Sequence, residues 1–267
     1  MASSTRQSIA QAKSALTPLL AKADIKFAEE LFAIGHAVAG SAQLRSLLSD
    51  PSAEVAAKSG ALKAIFAKSV SASALDFVNS LVALRWSTGQ DLVSAFEQLA
   101  VYAVAALADS AKTLSQVESN LFAFKQAVDS DQELQFALGD RQASEEAKLA
   151  LVDALIAKKL DSESALLIRQ AVLAATRRRV SVVVDQFAKQ VSAYAQRLVA
   201  NVTVAAELST DQVARLEAAL TKSYGQSLKL NIELDPTILG GIKVQVAGEI
   251  LDGSLSSRLT AAKLQLA

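Results

Sequence analysis

The sequence contains no cysteine and a single histidine, His36. Without thiols, disulfides, thiolate catalysis and cysteine-ligated metals are excluded together. A lone imidazole lacks the companions that a zinc site of ordinary ligand count requires, so His36 reads as a polar residue on a helix face. Excess charge of one sign is missing too, because 27 basic residues balance 27 acidic ones. A nucleic-acid binder needs a positive footprint that displaces counterions, and this balance argues against that class. Long apolar runs are absent as well. Hydrophobic residues make up 51% of the chain, but much of that is alanine, and charges interrupt every apolar run. The window "LAVYAVAALA" at 99–108 falls far short of the ~20 residues that span a bilayer. The opening "MASSTRQSIAQAK" has no apolar segment of a secretory leader. The expectation is a soluble chain made in the cytoplasm, with no direct membrane insertion. Neither GxGxxG nor GxxxxGK[ST] occurs, so no phosphate loop is expected. No catalytic set, cofactor or metal site is expected either, which leaves packing, amides and carboxylates as the means of function.

What is present, over the first ~200 residues, is helical periodicity. "DIKFAEELFAIGHAV" sets Ile25, Phe27, Leu31, Ile34 and Val38 on one face. "DPSAEVAAKSGALKAIF" begins with Asp50 as a candidate N-cap and Pro51 at the first helical position. Other helices are predicted at 5–22, 42–49, 71–86 and 90–108, and a second set at 112–129, 131–138, 142–158, 162–178 and 181–200. Trp86 and Tyr194 fall in helical pattern and read as core. The run Arg177-Arg178-Arg179 suits the negative end of a helix dipole.

The two sets repeat each other. A shift of 90 aligns Leu31-Phe32-Ala33 with Leu121-Phe122-Ala123, Asp50 with Asp140 and Lys58 with Lys148, giving 14 identities over positions 31–68. Chance would give about three or four in so alanine-rich a chain, so the helical region reads as a tandem duplication. The fold class is mostly α: two tandem helical bundles, 1–108 and 109–197, followed by a small α+β domain at 198–267. In that last part "LVANVTVAAEL" reads as a strand, and Ser209 with Gln212 forms a capping box before a helix. "LKLNIEL" and "IKVQV" alternate as strands, and a final helix is predicted near Ser254, giving β-α-β-β-α. Gly240-Gly241 supplies positive φ and a close strand entry, and Asp252-Gly253-Ser254 reads as a turn with an N-cap.

These tail motifs are specific. Asp235 and Pro236, then Gly240-Gly241, "IKVQV", Asp252-Gly253-Ser254 and finally Arg258-Leu259 resemble the δ subunit of bacterial F-type ATP synthase, the counterpart of the mitochondrial oligomycin-sensitivity-conferring protein. "AAELSTDQVARLEAAL" matches the same family's strand-to-helix passage. The resemblance is strongest over residues 187–263. It implies a non-catalytic peripheral-stalk subunit, whose helical domain grips N-terminal helices of α subunits on the α/β catalytic head. It also implies that the small domain binds the C-terminal helix of the b subunit, at the cytoplasmic face of the cell membrane. The duplicated bundle is similar to the enlargement of actinobacterial δ subunits. The family's first helix carries a Tyr-Ala-x-Ala-like start, where this chain opens "TRQSIAQAKSAL". Ser256-Ser257 stand where charged residues or glycine are common in the family. Candidate strips for a partner helix are Ile9, Leu16 and Leu20 in the first bundle and Leu114, Val117 and Leu121 in the second, with the first favoured for an α-subunit helix. The alternative is a helical adaptor of another multi-subunit assembly, since tandem bundles alone do not fix a function.

Overall fold

Capping side chains mark where most helices begin. The computed structural model describes residues 3–140, 142–156, 160–175, 178–197, 199–206, 208–224, 228–235, 241–246 and 249–252. Within them α1 (Ser3–Leu20), α2 (Ile25–Gly40), α3 (Ala42–Ser49), α4 (Val55–Phe66), α5 (Ala72–Val82) and α6 (Gly89–Ser110) are followed by α7 (Leu114–Ser130), α8 (Gln132–Gly139), α9 (Glu145–Ile156), α10 (Ser162–Ala174) and α11 (Val180–Arg197). Ser41 accepts the Leu44 N–H at the start of α3, and Asp131 accepts the Leu134 N–H at the start of α8. Ser71 and Asp161 do the same for α5 and α10. Each pair lies 90 residues apart, so the repeat extends to the orphan N–H groups that a helix start must satisfy.

The helix bounds carry the same offset. Residues 42–49 become 132–139, and 55–66 become 145–156. Packing recurs with them: α2 meets α3 and α5 as α7 meets α8 and α10, and α4 meets α5 as α9 meets α10. One helix serves twice. In the first copy α6 packs against α1, α2 and α3 as its closing helix. In the second copy α6 packs against α7 and α10, where α1 stands against α5 in the first. The offset agrees, since α1 shifted by 90 falls on 93–110, inside α6. Such double use demands burial nearly all round, and Leu92, Phe96, Leu99, Ala100, Val101, Ala103, Val104 and Ala105 are buried. Its apolar length would suit a bilayer by composition alone, with a mean hydropathy of 1.4, but its surroundings here are the other helices.

Two local expectations need correction. Asp50 does not cap α4, which starts at Val55 with Glu54 before it. Its carboxylate instead accepts from the Ser52 N–H at 2.8 Å and the Ser52 hydroxyl at 2.7 Å, closing an Asx-type turn. Asp140 accepts from the Gln142 N–H at 2.8 Å in the same way. The repeated aspartate is therefore a turn former. The helices predicted at 71–86 and 162–178 stop earlier, at Val82 and Ala174. Trp86 lies beyond the first of these ends, buried, donating its indole N–H to the Leu81 carbonyl at 3.0 Å.

By packing the chain divides into two compact units, Met1–Ser192 and Ala193–Ala267. The second unit contains β1 (Val199–Val204), α12 (Thr210–Tyr224), β2 (Lys229–Leu234), β3 (Ile242–Val246) and β4 (Glu249–Asp252). The sheet order is β2-β1-β3-β4, with β1 parallel to β2 and the other pairs antiparallel. The parallel pair needs a crossover, which α12 supplies. Its capping box forms as read: Ser209 accepts from the Gln212 N–H, and the Gln212 side chain accepts from the Ser209 N–H. Ala200, Val202 and Val204 from β1 pack with Val244 and Val246 from β3 beneath Leu220 of α12. The sequence suggests only a turn at Asp252-Gly253-Ser254 with no strand before it, yet Glu249–Asp252 pair with β3 as β4. So short a strand, with adjacent Ile250 and Leu251, carries no alternation by which to recognise it. The final helix expected near Ser254 lies outside the described residues.

Candidate functional site

In the second unit the family motif stands at strand ends. Asp235 follows β2 and donates its backbone N–H to the Val204 carbonyl at 2.9 Å, extending the parallel ladder by one bond. Gly241 enters β3 at φ 91°, a conformation that glycine adopts without Cβ strain. Asp252 closes β4 opposite Lys243. Pro236, Gly240, Gly253, Ser254, Arg258 and Leu259 lie outside the described residues. The apolar residues of "LKLNIEL" leave the core along the strand. Leu228 is buried, while Ile232 and Leu234 are 39% and 48% exposed. They lie on β2, which among the described residues is an outer strand of the sheet.

In the first unit the strip residues belong to the helix packing. Ile9, Leu16 and Leu20 of α1 are buried, as are Val117 and Leu121 of α7, and Leu114 is half-buried. Open apolar surface lies elsewhere. Phe32 of α2 is covered by Phe187 of α11, with ring centroids 6.1 Å apart. Its counterpart in the second copy, Phe122, is 59% exposed, and Phe136 of α8 is 78% exposed.

A cleft of about 710 Å³ opens between the copies, lined by residues that include Phe32, His36, Arg45, Glu97, Glu145 and Arg178. Glu97 of α6 receives the Gln186 amide at 3.0 Å and the Arg178 guanidinium at 3.5 Å. Burial pushes the Glu97 carboxyl above its usual value of 4.5, and Arg178 opposes the rise. Arg178 and Arg179 lie between the end of α10 and the first residue of α11 rather than at the negative end of a helix, and Arg178 ties the start of α11 to α6. The first copy makes the corresponding tie with hydroxyls. Thr5 of α1 donates to Ser87 at 2.9 Å, and Ser8 donates to the Arg85 carbonyl at 2.7 Å. His36 stands exposed at the lip of the cleft. The loss of water beside the cleft walls lowers its pKa below 6.5, against the pull of Glu145. Among the described residues no three of His, Asp and Glu gather as a metal would require. The chemistry on offer is apolar surface with a few paired charges, suited to holding other chains.

Comparison with known proteins agrees. The family described as ATP synthase delta (OSCP) subunit matches residues 100–266. A protein of Leifsonia xyli subsp. xyli called ATP synthase subunit delta is 41% identical across the full length of both chains. Proteins of the same name from Pseudarthrobacter chlorophenolicus and Renibacterium salmoninarum are 38% and 39% identical, again over the whole of both chains. A chain of the Toxoplasma gondii mitochondrial ATP synthase hexamer aligns over 62% of this chain and 94% of its own, at 18% identity and a TM-score of 0.31. The family match begins just before Tyr102-Ala103-Val104-Ala105 in α6. The chain belongs to the ATP synthase delta (OSCP) subunit family and is a structural component of the peripheral stalk of that membrane-bound complex.

Proposed function

We propose that the chain is a non-catalytic stator link, with one grip on the α/β catalytic head and another on the b subunit, resisting rotor torque during proton-driven ATP synthesis. It would work at the cytoplasmic face of the membrane. The observation that carries this reading is the division into two compact units of different build, one all helical and one with an open apolar strip on an outer strand. Ile232 and Leu234 give the b-subunit helix an apolar surface, and so small a domain gains most from a partner that covers it. In functional terms the chain has three parts, 1–108, 109–197 and 198–267, with α6 shared by the first two.

For the head, the start of the family match at residue 100 favours the second copy as holder of an α-subunit N-terminal helix, rather than the first. Leu114, half-buried, is then the accessible end of the strip that continues through Val117 and Leu121. Ile9, Leu16 and Leu20 form the parallel strip of the first copy, where a further contact would extend the stalk.

The test is a pull-down of α and b subunits by the full chain and by a chain lacking residues 198–267. The truncated chain should lose b and keep α. Retention of b with unchanged affinity would overturn the division of labour, and saturable ATP hydrolysis by the rigorously purified chain would overturn the non-catalytic role.

A further inference from the structure

The two copies differ at one seam, and the difference has a visible cause. In the first copy α3 lies directly on the start of α6. A Cβ on Gly89, the first residue of α6, would meet Arg45 Cγ at 2.8 Å and Ser49 Oγ at 3.3 Å. Only a hydrogen fits there. In the second copy the first residue of α11 is Val180, and Gly139 stands where the first copy has Ser49. The hydrogen bond that holds each short helix is kept. Arg45 donates to the Ala39 carbonyl at 2.7 Å, and Gln135 donates to the Asp129 carbonyl at 3.1 Å, each pair related by the same offset. What has changed is the side chain at the head of the following helix. Between α8 and the start of α11 a groove of about 420 Å³ stands open.

Its lining defines its chemistry. Val128 and Val180 give an apolar floor, and Phe136 stands at the edge with 78% of its surface exposed. Among the described residues, the ionic ones lining it are Arg178 and Arg179. Arg178 is engaged with Glu97 and Gln186, whereas Arg179 is exposed, with the Asp129 carboxylate within reach of its charge. A guanidinium matches a carboxylate with paired N–H donors, and an exposed aromatic ring beside it offers the apolar half of an anchor. The eight residues of α8 run about 12 Å, the length of roughly two turns of a partner helix. We propose that the groove between α8 and the start of α11 docks an acidic amphipathic helix of a neighbouring subunit, which packs an apolar side chain against Phe136 and pairs a carboxylate with Arg179. This contact is separate from the strips assigned above to the α-subunit helices and from the apolar strand of the second unit.

The experiment places photoreactive benzoylphenylalanine at position 136 of the full chain within purified ATP synthase, and maps the attachment site by mass spectrometry. Position 136 is exposed, so the probe leaves the fold intact, which far-UV circular dichroism checks. The expected product joins residue 136 to a helical protein segment that carries Asp or Glu within one turn of the attachment. With Arg179→Glu the yield should fall about tenfold, as charge reversal at a carboxylate contact implies. A probe at Leu155, which is 44% exposed on α9, should give a yield that Arg179→Glu leaves unchanged. The proposal is overturned by attachment to lipid or nucleic acid, by attachment to a segment without acidic residues, by the absence of a product, or by a yield at position 136 indifferent to Arg179→Glu.

Discussion

Phe187 of α11 covers Phe32 of α2 with ring centroids 6.1 Å apart, an aromatic contact between the second helical copy and the first. Both side chains are buried, whereas Phe122, the counterpart of Phe32 on the second copy, is 59% exposed. Phe187→Ala removes a fully buried aromatic and leaves a cavity, at a cost of about 3–5 kcal/mol. Phe122→Ala should stay within ~0.5 kcal/mol of the parent. Urea unfolding of the two variants side by side checks the contrast, and equal losses would mean that the copies are not joined through this ring.

Gly35 sets how closely α2 and α6 approach. A Cβ there would meet the Phe96 Cβ at 2.9 Å, and both atoms sit too near their backbones to yield cheaply. Gly35→Ala should cost about 1–3 kcal/mol through overpacking. The second copy carries Lys125 at this position, paired with Asp129 at 2.8 Å. A melting temperature unchanged by Gly35→Ala would show that the helices can part freely.

Lys112 holds φ 60° just beyond α6. Its N–H bonds to the Asp109 carbonyl and the Thr113 N–H bonds to the Ala108 carbonyl at 2.7 Å, the two bonds of a Schellman ending. A lysine pays Cβ strain in this conformation that glycine avoids. Lys112→Gly should raise stability by about 1 kcal/mol, less the entropy that glycine adds to the unfolded chain, as read by urea unfolding.

His36 is the chain's one imidazole, so its ring proton resonance can be followed by NMR without ambiguity. Its midpoint should lie below 6.5, because loss of water beside the cleft outweighs the pull of Glu145. Glu145→Gln should lower it further. In linkage terms the unfolded chain takes up this proton first as pH falls through 6.5, so the His36 contribution reduces stability between 6.5 and the lower folded midpoint, and is constant above and below that window. The ring is exposed, which keeps the effect small.

Much of this architecture was legible because the repeat is written in side chains that cannot be exchanged freely. Leu31, Val38 and Leu48 recur as Leu121, Val128 and Leu138 at one offset because the same faces are buried in both copies. The double use of α6 was harder to see. Its run of alanine and valine reads as one more core helix, and only the neighbours on its two sides reveal that it belongs to both copies. Asp50 was legible as a punctuation residue but not as a turn, since a carboxylate before Pro51 can serve either purpose. The partner strips were the least legible, because apolar residues at helical spacing look alike whether they face a groove or the core. Seam widths depend on single atoms, such as the hydrogen of Gly89 against Arg45, and no periodicity carries that information.

The most direct measurement compares proton-driven ATP synthesis with ATP hydrolysis in membranes from cells that lack this chain. Hydrolysis by the catalytic head should persist, while proton-driven synthesis should be lost and should return when purified full-length chain is added back. Synthesis that continues at the parental rate without the chain, or hydrolysis by the isolated head that depends on it, would contradict a stator role.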